Sequence, residues 1–291
     1  MQFRVVFFFV LSTVVVCSAV NPLDEIRRGD FAREAAVGNE LHVLDWNIDR
    51  GARLEQIAAG MASQKPDLAI LQEVDLHARR SDFQDVAQVL AQRLNLNFVF
   101  APEFQELGQS SADQPAYHGN AILTSLPIRS TRMLRFESQS GFWKPHAYVP
   151  SWALFQRRLG GRVALITELE FEHRTLVVYN LHLESRSGGR IQYEQLQEVL
   201  KDAARYPADT PVVVAGDINT KYPHSIAEVA KLMRDAGYQS AFGDKHVRTH
   251  VIVGDLDWIF ARGPVRLSDA KVHREMPGSD HWAVSARLAG R

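Results

Sequence analysis

The stretch PVVVAGDINTKYP, residues 211–223, carries three consecutive valines, Val212 to Val214, almost directly into Asp217 and Asn219. The valines read as a buried strand. A strand repeats every two residues, so if extended geometry persists the Asp217 and Asn219 side chains leave the same face at the strand's end. Gly, Asp and Asn are also turn formers, and the tetrapeptide taken alone reads first as a turn. The remainder of the chain decides what a carboxylate and an amide do at that place.

Working outward, the same pattern of an apolar run ending in polar residues recurs. LHVLDWN (41–47) ends on Asn47, and DLAILQEVD (67–75) reaches Gln72 and Glu73. Between them Leu54, Ile57, Ala58 and Met61 fall at helical spacing, giving strand, helix, strand. SDFQDVAQVLAQRLN (81–95) repeats the helical period with Ser81 or Asp82 as its cap, and NFVFAPEF and NAILTSLPI follow as strands. VALITELEF and RTLVVYNLHLES, with a tight link at Glu172, His173 and the first residue of the second run, Arg174, read as a hairpin. A helix from about Ile191 to Arg205 leads back to the opening stretch. SIAEVAKLMRDAG then makes a helix stopped by Gly237, and LDWIFA and HWAVSARL close the chain as strands. Strands outnumber helices, which favours an α/β fold of two packed sheets with helices outside over one doubly wound sheet.

The 291 residues, 46% of them hydrophobic, can bury a large core, and no linker, repeat or low-complexity tract divides them. One domain over residues 20–291 is expected. A net charge of −1 argues against a generally basic nucleic-acid coat, although the local group Arg157, Arg158 and Arg162 can meet phosphates. The first nineteen residues differ in kind: Arg4 is their only charge, Val5 to Val16 is apolar, and Cys17, Ser18 and Ala19 are small. This is the pattern of a signal peptide cut after Ala19, which implies an exported, periplasmic or secreted protein. The run is short for a membrane span, so an uncleaved anchor is the weaker alternative. Cys17 is the only cysteine, so the exported chain would hold no disulfide.

Six strand ends deliver Asn47, Glu73, Asn180 with His182, Asp217 with Asn219, Asp257, and Asp280 with His281. Each taken singly reads as structural. Together, carboxylates, amides and imidazoles supply hard oxygen ligands for Mg²⁺, donors for a phosphate and a proton-transfer pair. Two further stretches stay open. Asn120 in YHGNAILT is a turn residue or a substrate-facing one. FESQSGFWKPHAYVPSW (136–152), with Phe142, Trp143, Lys144, His146, Tyr148 and Trp152, is a loop tucked onto the core or an aromatic substrate wall.

The ordered set WN, LQEVD, NLHLES, GDIN, LDWIF, SDHW, spanning Leu41 to Leu288, resembles the endonuclease/exonuclease/phosphatase superfamily. Within it, WNID, LQEV, HLES and SDHW are most similar to the tyrosyl-DNA phosphodiesterase 2 family. The resemblance implies a four-layer αββα sandwich of two mixed sheets. It implies an Mg²⁺-dependent phosphoesterase, with Mn²⁺ as an alternative ion: Glu73 the direct ligand, Asn47 beside it, Asp280 in or near the metal shell. Asp217 would activate the attacking water while Asn219 holds water or phosphate. His281 would donate to a phosphate oxygen with Asp257 fixing its tautomer, and His182 would be a second phosphate contact or the acid for the leaving oxygen. Asn180 and Asn120 would bind substrate. The expected substrate is a nucleic-acid phosphodiester, with no obligate protein partner. Alternatives are a phospholipid or sphingolipid head group, an inositol phosphate, or, in another class altogether, an inactive member that only binds a phosphorylated ligand.

Overall fold

The computed structural model describes residues 21–33, 38–142, 148–150 and 152–290. The signal peptide expected at residues 1–19 lies outside the described residues, as do Trp143, Lys144 and His146 of the aromatic stretch. In chain order the strands are β1 (Arg27–Gly29), β2 (Glu40–Arg50), β3 (Leu68–Leu76), β4 (Asn97–Glu106), β5 (Tyr117–Thr124), β6 (Ile128–Arg135), β7 (Arg158–Gly160), β8 (Val163–Phe171), β9 (Arg174–His182), β10 (Val212–Asp217), β11 (Gln239–Ser240), β12 (Asp257–Arg262), β13 (Val265–His273) and β14 (Ala283–Gly290). The helices are α1 (Leu54–Gln64), α2 (Val86–Leu94), α3 (Arg190–Ala203) and α4 (Pro223–Asp235).

Two sheets form. The first runs β1-β4-β5-β3-β2-β14-β13 with β7 on β4, and the second β11-β12-β10-β9-β8-β6. Both are mixed: β2 and β3 pair in parallel, as do β9 and β10, and the other pairs given by register are antiparallel. The valine run shows why they stack. Val213 and Ala215 pack between the sheets with Val43, Ile70 and Val178, whereas Val212 and Val214, one residue out of phase, face Leu196 and Val229 of α3 and α4. In the first sheet Leu44, Trp46 and Leu71 likewise turn outward onto Ile57 of α1 and Leu90 of α2. A strand buried on both faces has to be apolar at every position, so a continuous run here marks a central strand between two layers. The result is the expected αββα sandwich.

The hairpin forms as read, with Phe171 paired to Arg174 and both linking residues, Glu172 and His173, at positive φ, the backbone that a two-residue turn needs. Other expectations are corrected. The helix expected to be capped by Ser81 or Asp82 starts only at Val86, because Asp85 accepts the Gln88 N–H and caps it while residues 79–81 form a 3₁₀ turn. NAILTSLPI is not one strand: β5 stops at Thr124, and after Pro127, which has no N–H for a ladder, β6 joins the other sheet. β13, with its mixed burial, was not legible as a strand.

Candidate active site

The parallel pairs β2–β3 and β9–β10 pack face to face across the sandwich, so their C-terminal ends bring Asn47, Glu73, His182 and Asp217 to one edge. β12 begins at the same edge, where Asp257 pairs in register with Asp217, and His281 lies just before β14. Local backbone aims the groups. The registers of β2 and β3 slip at Asn47/Arg50 and at Leu71/Val74, and Glu73 sits in the second slip with φ +51°. A bulge of this kind turns one side chain out of the alternation, so Glu73 reaches the cavity although β3 itself continues to Leu76.

Asp217 and Asn219 converge by a turn rather than by extended geometry, which corrects the strand-period expectation. Gly216 has φ +137°, where an added Cβ would lie 2.0 Å from the Leu181 carbonyl oxygen, and Asn219 is left-handed at φ +60°. The Asn219 N–H donates to Asp217 Oδ1 (2.9 Å), and its side-chain amide donates to the Leu183 carbonyl (3.1 Å). Asp217 Oδ2 is left facing the site: Asn47 Nδ2 donates to it at 3.1 Å, and the Nε2 atoms of His182 and His281 lie 3.7 and 3.9 Å away.

His281 Nδ1 meets both Asp257 oxygens, at 3.0 and 2.9 Å. The His281 carbonyl accepts from the Trp46 indole, and its N–H donates to Ser279 Oγ, which in turn donates to the Asn47 carbonyl. Burial opposes a charged imidazole there, but Asp257 and then Asp217 outweigh it and raise the His281 pKa to about 10. Burial also pushes the Asp257 carboxyl up. Since both its oxygens face one ring nitrogen and Asp217 faces the other, the imidazolium–carboxylate form is the one the geometry favours. Below it, burial first and Asp257 second raise the Asp45 carboxyl well above its usual range, and its Oδ1 accepts from Gln72.

Glu73 points one oxygen at Arg50 (Oε2, 3.3 Å) and the other toward His182 (Oε1, 4.0 Å). Burial works against its charge, yet His118, Arg50, His182 and Arg162 together hold the carboxyl well below the usual range. Of the metal set implied by resemblance, Glu73 and Asn47 lie at this edge, while Asp280 is in no ligand group with Glu73 among the described residues. The Asn47 amide is committed to Asp217 and to the Asp49 N–H, while Asp280, 54% exposed, lies 3.5 Å from His250. Among the described residues, the groups whose ligand atoms fall within 4.8 Å of one another are Glu73/His118/His182, His250/Asp280/His281 and Asp217/Asp257/His281, and no such group joins Glu73 to Asp280. Among the described residues, Glu73 thus has two imidazoles, His118 and His182, gathered with it in a group that could hold a metal ion.

Asn180 and Asn120 do not reach the cavity. Asn180 lies two positions, about 7 Å of strand, below His182 on the same face. It donates to the Leu71 and Ala121 carbonyls and accepts from Gln72, tying the sheets together. Asn120 is also fully buried and donates to the Val163 carbonyl and Glu103. Asn180 is satisfied at both ends of its amide, whereas Asn120 bonds only through Nδ2 and its Oδ1 has no partner; losing one such bond costs about 1–3 kcal/mol. The residues that sequence reasoning missed are the imidazole of His118 and the carboxylates beside the two imidazoles, Asp75 by His118 and Glu103 by His182. His118 stands two positions from Asn120 in YHGNAILT, and alternation places both on one face.

A cavity of about 1090 Å³ opens from Glu73 and is lined by Arg50, Arg80, Arg157, Arg158, Arg162 and Arg186. Several are braced by carboxylates: Arg158 by Glu106 (2.6 Å), Arg80 by Asp75 (2.7 Å), Arg162 by Glu103 (3.0 Å). Phe142, Tyr148 and Trp152 are exposed, and Phe142 lines the cavity with the Arg186 guanidinium 4.4 Å from its ring centre. For these three, exposure rules out the core-tucked reading of the loop, and Phe142 is the one that lines the cavity.

A two-sheet sandwich with carboxylates and imidazoles gathered at one edge beside an arginine-lined cavity defines a phosphoesterase of the nuclease-like type. The chain belongs to the Endonuclease/Exonuclease/phosphatase family, whose model matches residues 46–281. Members of that family are hydrolases acting on phosphoester bonds. Similar solved structures include an endonuclease/exonuclease/phosphatase from Beutenbergia cavernae (TM-score 0.65, 19% identity, covering 87% of this chain and 72% of that one). A humanized D. rerio TDP2 with 14 mutations (0.59, 21%, 86% and 99%) and an endonuclease/exonuclease/phosphatase from Bacteroides vulgatus (0.62, 13%, 87% and 100%) share the fold as well. No curated protein sequence matches the chain.

Proposed function

We propose that the protein is an exported phosphodiesterase that hydrolyses nucleic-acid phosphodiesters by in-line attack of water, with a divalent cation at Glu73. The observation that carries the reading is the concentration of six arginines around the cavity that opens on Glu73, in a chain whose net charge is −1. Positive charge focused at one mouth attracts a polyanion, and an exposed Phe142 beside Arg186 offers a face for a base to stack on. Asp217 Oδ2, to which Asn47 donates, takes the proton of the attacking water, which Asn219 helps to place. His281, held as imidazolium by Asp257, donates to a non-bridging oxygen as charge develops there. His182 is within reach of the same region. The cation, Mg²⁺ by the resemblance, would supply charge neutralisation on the phosphate.

Chelation with EDTA is expected to abolish hydrolysis and added Mg²⁺ or Mn²⁺ to restore it. The assay is a panel of single- and double-stranded DNA, RNA, sphingomyelin, phosphatidylinositol phosphates and a chromogenic phosphodiester. Turnover by the chelated protein sinks the metal assignment, and hydrolysis of lipid alone replaces the nucleic-acid substrate.

Export rests on the first nineteen residues: one charge, an apolar run, then small residues. Intact-mass analysis of protein recovered from an exporting host is expected to give a chain starting at Val20. Retention of Met1 to Ala19 means an anchor instead.

A further inference from the structure

His250 stands beside His281 at the rim of the site, and its surroundings fix all of it but one ring nitrogen. Thr249 Oγ1 accepts from the Leu256 and Asp257 N–H groups (3.0 and 3.1 Å), and the Thr249 N–H donates to the Gly254 carbonyl (3.1 Å). These bonds close a tight loop just before β12. The loop is also bridged to the segment that carries His281. The Trp282 N–H donates to the Thr249 carbonyl (2.7 Å) and the Val251 N–H to the Asp280 carbonyl (3.0 Å), so His250 pairs directly with His281. The two rings meet edge to face, their centres 4.8 Å apart at 78°.

The neighbours of the ring also decide where its hydrogen sits. Nδ1 accepts from the Ile252 and Val253 N–H groups (3.0 and 3.1 Å), which a protonated nitrogen cannot do, so the hydrogen is on Nε2. Burial first and His281 second hold the His250 pKa below its ordinary value, which keeps the ring a neutral donor. The Nε2–H faces Asp280 Oδ2 at 3.5 Å, too long for a good bond, and that carboxylate is exposed to solvent. A donor held rigid on its other sides and turned toward an anionic oxygen is preorganised for charge that comes with a substrate. One ring nitrogen of His250 and one of His281 lie within 4.8 Å of each other, a separation that two oxygens of one phosphate can span. We propose that His250 is a second phosphate contact, a neutral imidazole whose Nε2–H donates to a non-bridging oxygen beside the one received by the His281 imidazolium. The identity of the anion rests on the phosphodiesterase reading, and inorganic phosphate tests the contact without turnover.

The full-length protein is titrated with inorganic phosphate by calorimetry and, with its histidines labelled in nitrogen, by NMR. His250→Asn puts an amide oxygen where Nδ1 accepts, so the loop keeps its two bonds and only the Nε2–H is lost. This variant is expected to bind phosphate about 10-fold more weakly. On an oligonucleotide it is expected to raise KM by a similar factor and to change kcat by less than about 3-fold, since a non-bridging oxygen is held in ground and transition state alike. The same loss of phosphate affinity is expected when Asp280 is already Asn. Unchanged phosphate affinity in folded His250→Asn overturns the proposal. So does a loss that vanishes in the Asp280→Asn background, which makes His250 a support for Asp280 alone. Should His250→Asn fail to fold, the wild-type spectrum decides: phosphate that shifts the His250 Nε2 resonance supports the contact, and phosphate that leaves it in place overturns it. Phosphate held by His250 in a protein that hydrolyses no nucleic acid keeps the contact and removes that substrate. Nucleic-acid hydrolysis by His250→Asn with wild-type KM and phosphate affinity does the reverse.

Discussion

Asp217→Asn is expected to lower kcat by about two to four decades while moving KM little. The substitution keeps shape and the acceptor for the Asn219 N–H, so the turn that ends β10 survives. What it removes is the charge at Oδ2, the atom that faces Asn47 Nδ2 and the two Nε2 atoms of His182 and His281. A group that accepts a proton only as the phosphate is attacked contributes to the transition state and not to the ground state, which is why the loss belongs in kcat. Single-turnover rates on the preferred substrate, with circular dichroism to confirm folding, measure it. Near-normal rates in a folded Asp217→Asn protein take this carboxylate out of the chemistry.

His281→Ala is expected to cost about two to three decades in kcat, and Asp257→Asn less, since it loosens the imidazole without deleting it. The double variant is expected to be little worse than His281→Ala alone, because two groups joined through one nitrogen act as a unit. Additive losses separate them. The pair also sets a pH dependence. The folded His281 pKa is raised from an ordinary value of 6.5 to about 10. Its stabilising charge is therefore fully present below about pH 6.5 and lost as pH rises through about 10, and the donor to phosphate is lost over the same rise. Asp257→Asn removes the largest influence that raises this pKa, so the alkaline limb of the kcat profile should move to lower pH. A limb that stays where it was assigns the titration to another group.

Much of the architecture was legible because strand burial has a local signature. Val212 to Ala215 are apolar at every position, which requires cover on both faces, and the order of WN, LQEVD, NLHLES, GDIN, LDWIF and SDHW is carried by the chain itself. Asn47, Glu73, His182, Asp217, Asn219, Asp257 and His281 meet at one edge as that order implies. Their convergence follows from parallel pairing in both sheets, which puts the C-terminal ends of β2, β3, β9 and β10 on one side. The aromatic stretch stayed ambiguous because it has no period, and only exposure separated a wall from a buried loop.

What the sequence determined by itself was the long central strands, their two buried faces and the chemistry waiting at their ends, because a period of two is a property of neighbouring residues. What only the tertiary structure decided was depth and partnership. Asn180 and His182 share a face, yet one ties the sheets together and the other reaches the site, since only the packing of the second sheet fixes where the interior ends. Asp280 stands beside His281 in the chain but turns to His250, and Glu73 reaches the cavity through a bulge set by the pairing of β3 with β5. His118 and Glu103 became part of the site through contacts that cross 43 and 79 positions of chain, from Asp75 to His118 and from Glu103 to His182. Contacts across such distances are chosen by how whole layers stack, and no local pattern encodes them.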